Sequence, residues 1–185
     1  MRPIYCATSA RREKNMKKIL SAVLLTALLL TLAASALAAT GVGAVSSVSV
    51  TPATADKAGS VSVYTYLCAV TLDDNGVITG VDFDAVQPAG SFDTTGAAGE
   101  FNAAPLSKNE IKEGYGMKAI SPIGLEWYEQ MDKLEDWCIG KTVAEVLAME
   151  LNEKGVPTDA DLVSGCTVHI NDQLVSLQKA AASAR

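Results

Sequence analysis

The sequence predicts an α+β fold, a small antiparallel sheet with about three packing helices after an N-terminal signal peptide. Three observations carry that class. Apolar and polar residues alternate over 61–67 and the apolar character continues to Leu72, with a second such run over 77–83. Trp127, Met131, Leu134 and Cys138 fall at helical spacing on one face. Turn and capping residues stand where each run stops.

Taken in order, residues 1–39 read as a secretory signal peptide. Lys17 and Lys18 precede an almost wholly apolar stretch over 19–32, and Ala36-Leu37-Ala38 supplies the small-x-small pattern that a signal peptidase recognises. Cleavage is expected after Ala38 or Ala39. Arg2, Arg11, Arg12 and Lys14 make the basic segment unusually long, which offers Met16 as an alternative start. An uncleaved membrane anchor is the competing reading, because residues 19–39 match the ~20 apolar residues a bilayer requires. The Ala-rich second half favours cleavage. Either way the domain is expected outside the cytoplasm, secreted or at the cell surface.

Removing the signal changes the electrostatics. Six of the fifteen Lys and Arg residues, and one of the twenty-one acids, lie before residue 40, so nine bases and twenty acids remain and the net charge falls from −6 to near −11. That surface disfavours nucleic acid and anionic head groups as partners. The remaining length suits one domain. Cys68, Cys138 and Cys166 are an odd set, so at most one pair closes and one thiol is left over; buried small hydrophobes are the plainer reading. Their spacing, with His169 the single histidine, offers no metal site.

Residues 40–60, rich in Ser, Thr, Ala and Gly and broken at Pro52, read as a flexible stalk ahead of a domain over 61–185; a loosely placed first strand is the alternative. Asp73-Asp74-Asn75-Gly76 has the chemistry of a hairpin turn, with Asn75-Gly76 suited to positive φ, joining the two strands. Residues 88–105 read as a loop. Ser121-Pro122 places an N-cap and an N1 proline before the first long helix, which Gly140 ends. Thr142 and Glu145 are spaced as a capping box for a second helix, with Val146, Met149 and Leu151 inward and Gly155-Val156-Pro157 as its stop. A last helix starts near Asn171 as N-cap and buries Leu174, Leu177 and Ala181.

One segment bears on chemistry: Asp161-Leu162-Val163-Ser164-Gly165-Cys166-Thr167. It resembles the attachment motif of the FMN-binding domain family, covalent flavin carriers with an acidic residue and two variable positions before Ser/Thr-Gly-Ala-Thr. The resemblance implies that a flavin transferase, using FAD and magnesium, esterifies the last Thr with FMN. Carried over, Thr167 is the acceptor, Asp161, Ser164 and Gly165 are recognition residues, and Cys166 replaces the family's Ala. A glycine at 165 lets backbone approach a phosphate, and Tyr115, Trp127 and Tyr128 are candidates for a ring slot by type. The turn at Asn75-Gly76-Val77-Ile78 resembles the family's preceding hairpin. Segments around residues 108–118, 126–130 and 140–142 are similar to exported proteins of Gram-positive anaerobes, whose members often lack a full attachment motif.

The plainer reading of the motif is a turn at Ser164-Gly165 leading into a strand over 166–170, with His169 an alternating strand residue. No nucleophile, acid and base set points to a turnover enzyme. Two functions follow as expectations. The first is an extracytoplasmic electron carrier with covalent FMN, matured by a flavin transferase and reduced by a membrane electron donor. The second is a non-catalytic exported binding module that keeps the fold without flavin.

Overall fold

The computed structural model describes residues 38–102 and 105–185. Of the expected signal segment over 1–39, residues 1–37 lie outside them. Among the described residues no helix is long and apolar enough to cross a membrane. Helices pack on an antiparallel five-stranded sheet, which is an α+β fold.

Strand β2 (Gly59–Leu72) is the spine of the sheet. On one side it pairs along its length with β1 (Ala39–Thr51), from Ala39 opposite Leu72 to Thr51 opposite Ser60. On the other side its C-terminal half pairs with β3 (Ile78–Val86), and Gly59 to Ser62 pair with β4 (Ala89–Phe92). Strand β5 (Ala98–Asn102) closes a hairpin with β4.

The hairpin between β2 and β3 is where the sequence places it. Asp73 Oδ1 accepts from the amides of Asn75 (2.8 Å) and Val77 (2.9 Å). Gly76 takes φ +76°, and Asn75 stays at negative φ. Two expectations are overturned. Residues 40–60 are not a stalk: they form β1, a tight turn and the first residues of β2. Residues 88–105 are not simply a loop, since β4 and β5 meet at a second turn of the same chemistry. There Asp93 Oδ1 accepts from Thr95 (2.8 Å) and Ala97 (3.0 Å), and Gly96 lies at φ +84°.

Helix α1 (Lys108–Ile111) is short and is fixed by a Ser107–Glu110 capping box. Asn109 docks it on β3, its amide donating to Asp84 Oδ1 (3.1 Å) and its side chain to the Phe83 carbonyl (3.0 Å). Two 3₁₀ turns, Lys112–Tyr115 and Met117–Ala119, lead towards helix α2 (Trp127–Cys138). Helix α2 buries Trp127, Met131, Leu134 and Cys138 as their spacing requires.

Its start is not at Ser121-Pro122. Those residues form a turn closed by Gly124 N–H to the Ser121 carbonyl (3.1 Å), and Gly124 at φ +64° breaks any helical continuation. Glu126 is the N-cap, and its buried carboxylate accepts from the amides of Met117 (2.8 Å) and Lys118 (3.0 Å).

The Thr142–Glu145 capping box opens α3 (Val143–Leu147). That helix stops at Leu147, so Met149 and Leu151 pack from the segment beyond it, where Leu151 bridges to Pro157. Helix α4 (Asn171–Ser183) follows. Ile170, not Asn171, is its N-cap, because the Asn171 amide packs on Gly155; a Cβ at Gly155 would meet Asn171 Nδ2 at 2.4 Å.

Helix α4 lies directly on β1. A Cβ at Gly41 would meet the Ala180 carbonyl oxygen at 2.0 Å, and one at Gly43 the Ser176 oxygen at 2.1 Å, so both glycines exist to let backbones touch. Groups on the open side of β1 are also taken up. Ser183 Oγ accepts from Val42 N–H (2.9 Å) and donates to the Val42 carbonyl (2.9 Å), and Lys179 Nζ donates to the Ala44 carbonyl (2.8 Å). An edge strand is thereby covered along its first half.

Candidate functional site

A cavity of about 410 Å³ opens where β2, α1, the start of α2, the segment over 154–156 and the segment before α4 converge. That volume suits a small organic ligand. Four aromatic rings line it, Tyr64, Tyr66, Tyr115 and Trp127, together with Lys108, Lys154, Thr167, His169 and Gln173. A larger hollow of about 570 Å³ lies between β4 and β5, but it is an open surface trough whose lining offers one charged residue, Glu100. The smaller cavity has the convergent polar groups of a binding site, and the chemistry is placed there.

Lys108 is set in this cavity by the docking of α1 and is only 7% exposed. Its ammonium lies 4.6 Å from the Tyr115 ring centroid and 4.8 Å from that of Trp127. Among the described residues it forms no ion pair. Burial lowers its pKa to about 8, against the opposing pull of Asp84. Burial raises the phenols of Tyr66 and Tyr115 above their ordinary value.

Two glutamines bear on the site, Gln173 in its lining and Gln130 through its hold on Thr167. Gln130, fully buried on α2, uses Oε1 to accept from the Thr167 amide (2.9 Å) and hydroxyl (3.2 Å). Its Nε2 donates to the Leu125 carbonyl (3.2 Å) and Ser121 Oγ (3.3 Å). Gln173, on α4 and 1% exposed, has Nε2 3.8 Å from Met131 Sδ, and its Oε1 has no hydrogen-bond partner. The hydroxyl of Tyr66 and Nε2 of His169 are 3.4 Å apart.

Of the five residues of the motif, Thr167 alone lines the cavity; it also borders a smaller hollow beneath Ile120 and Pro122. Asp161 and Ser164 are exposed on a turn outside it, where the Asp161 amide donates to Asp159 Oδ1 (2.9 Å). Gly165 is small for a packing reason: a Cβ there would meet Lys133 Cγ at 2.9 Å. Cys166 is fully buried in the core and its thiol is pushed up to about 11 by burial. No strand forms over 166–170, since Thr167 is held by the Gln130 side chain and not by a ladder.

Among the ring candidates, Tyr115 and Trp127 line the cavity and Tyr128 does not, its hydroxyl donating instead to Glu113 Oε1 (2.9 Å). Sequence reasoning missed Lys108, Gln130 and Gln173. The two glutamines had a signal, because each interrupts the apolar stripe of a helix, between Trp127 and Leu134 and between Ile170 and Leu177. A polar group in a buried stripe has to find a partner. Lys108 had none.

No family model matches the chain, and no solved structure matches it. A chlorophenol reductase of Desulfitobacterium hafniense is 38% identical over 92 residues, a match covering 42% of this chain and 28% of that protein, so the similarity spans less than a third of the relative's length.

Proposed function

We propose that this protein is an exported electron carrier of the FMN-binding type, with FMN esterified to Thr167 and its ring in the aromatic cavity. One observation carries the reading: Thr167, the acceptor implied by the motif, lines an aromatic cavity whose walls also include the buried Lys108 and Gln173, whose amide oxygen has no partner. The residues fit the group. Tyr115 and Trp127 give the ring apolar faces, Lys108 offers a charge to its oxygens, and the cavity limits water.

In the attachment step the Thr167 Oγ–P bond forms, the pyrophosphate P–O bond of FAD breaks, AMP leaves, and the hydroxyl proton passes to a base supplied with the transferase. Before this the hydroxyl has to leave Gln130 Oε1, while the Thr167 amide can remain there and hold the residue in place. When bound, the flavin supplies one- and two-electron transfer. The chain positions it, screens it and sets the local charge. Export agrees with covalent attachment, because a tethered cofactor cannot diffuse away. Cleavage after Ala38 or Ala39 leaves residues 40–51 for pairing with β2. A membrane donor is the partner this role calls for, and the redox name of the partial relative is in keeping with it.

Intact mass spectrometry after co-expression with a flavin transferase tests the proposal. One added FMN, lost in Thr167→Ala, supports it. An unmodified chain under conditions that label a control domain rejects it. The second reading, a flavin-free binding module, draws on the tie between the Thr167 hydroxyl and Gln130 and on a core cysteine at position 166.

A further inference from the structure

The cavity has two polar capacities that the protein itself leaves unused. Lys108 presents ammonium N–H donors between two rings and has no carboxylate partner among the described residues. Gln173 presents a carbonyl oxygen with no donor, although the residue is buried in a helix that packs on the sheet. Buried acceptors are rarely left unmet, and an amide oxygen facing no donor is a place for a ligand N–H or O–H.

Two other polar groups of the lining are already paired. The Thr167 hydroxyl bonds to Gln130, and Tyr66 is paired with His169. Lys108 and Gln173 together call for one acceptor for a cation and one donor for a carbonyl, on a group flat enough to lie among Tyr64, Tyr66, Tyr115 and Trp127.

We infer that the cavity recognises the cyclic imide edge of a planar conjugated ring, Gln173 Oε1 accepting from the ring N–H and Lys108 donating to a flanking carbonyl oxygen. An imide edge places a donor between two acceptors, which is the complement of an amide oxygen and an ammonium. A purely apolar ring leaves both groups unpaired, and a carboxylate satisfies Lys108 but not Gln173. The inference rests on the reading of this cavity as the flavin site, and it assigns which edge of the ring enters. It makes Lys108 and Gln173 specificity residues, independent of attachment at Thr167.

The test uses the chain produced without a flavin transferase, so that Thr167 stays unmodified, and reads binding by quenching of flavin fluorescence. The probes are lumiflavin and N3-methyllumiflavin, which differ at the imide N–H. Lumiflavin is expected to bind, with the methylated ring weaker by about tenfold or more. Gln173→Leu should reduce that preference to about threefold or less, and Lys108→Met should weaken lumiflavin by about tenfold. Equal affinity for the two rings, or no binding of lumiflavin, overturns the inference. The two rings are compared first on the unaltered protein, so a variant that fails to fold does not decide the result. Loading at Thr167 is read separately by mass, so failure of imide recognition and failure of attachment are distinct results.

Discussion

Strand β2 runs through two different environments. Over its C-terminal half, Tyr66, Cys68 and Val70 are buried, flanked by β1 and β3 and covered by helices. Over its N-terminal half the same strand belongs to a ribbon with β4, β5 and the end of β1, where Val48 is 65% exposed, Val50 59% and Phe101 65%. The hydrogen-bond ladder is continuous through both. What differs is whether side chains meet a helix, and that contact rather than strand pairing makes a core.

Substitutions can break or sharpen this contrast. The largest effect is expected at Gly43, where Gly43→Leu drives a side chain into the α4 backbone and should cost about 3 kcal/mol or more, or prevent folding, in urea titration. Gln130→Leu removes the acceptor shared by the Thr167 amide and hydroxyl; a loss of about 2 kcal/mol is expected, with faster hydrogen exchange at the Thr167 amide.

Glu135 on α2 tests the core half by pH. Its carboxylate accepts from the Phe83 amide (2.7 Å), yet burial outweighs that bond and raises its pKa from 4.5 to about 7. The folded state thus holds this proton more tightly than the unfolded one. Its stabilising contribution is complete below about pH 4.5 and is lost as pH rises through about 7. Glu135 is partly solvated, so the change is expected to be about 1 kcal/mol or less, and Glu135→Gln should flatten the stability profile across that window. The smallest effect belongs to the ribbon: Val48→Thr and Val50→Thr should each change stability by less than about 0.5 kcal/mol. A cost near that of Gly43→Leu would show that the ribbon shares the core.

The same contrast explains what the sequence revealed. The core half of the sheet and the face of α2 were legible because burial on one side imposes a period on apolar residues. Strand β1 was misread as a stalk because its first half packs on a helix through glycines, which carry no apolar side chain, and the short alternation of Val48 and Val50 with Ser and Thr in its second half marks no buried face. The β4–β5 hairpin was hidden for the second reason, although Asp93-Thr94-Thr95-Gly96 repeats the spacing of Asp73-Asp74-Asn75-Gly76. At the site, the motif directed attention to Thr167. The residues around it come from α1, α2 and α4, and only tertiary packing brings Lys108 and Gln173 to one cavity and sets Gln130 against Thr167.

The three core cysteines have a practical consequence. Cys68, Cys138 and Cys166 are buried free thiols, and burial pushes them up to about 12, 12 and 11. A thiol held protonated is a poor nucleophile and resists oxidants in its surroundings. Alkylating reagents can reach these sulfurs only when the helices separate from the sheet, so the rate of labelling becomes a clock for native-state opening. Cys68 sits on the sheet and Cys138 at the end of a helix, so equal rates would mark one separation of the two layers and unequal rates a more local opening.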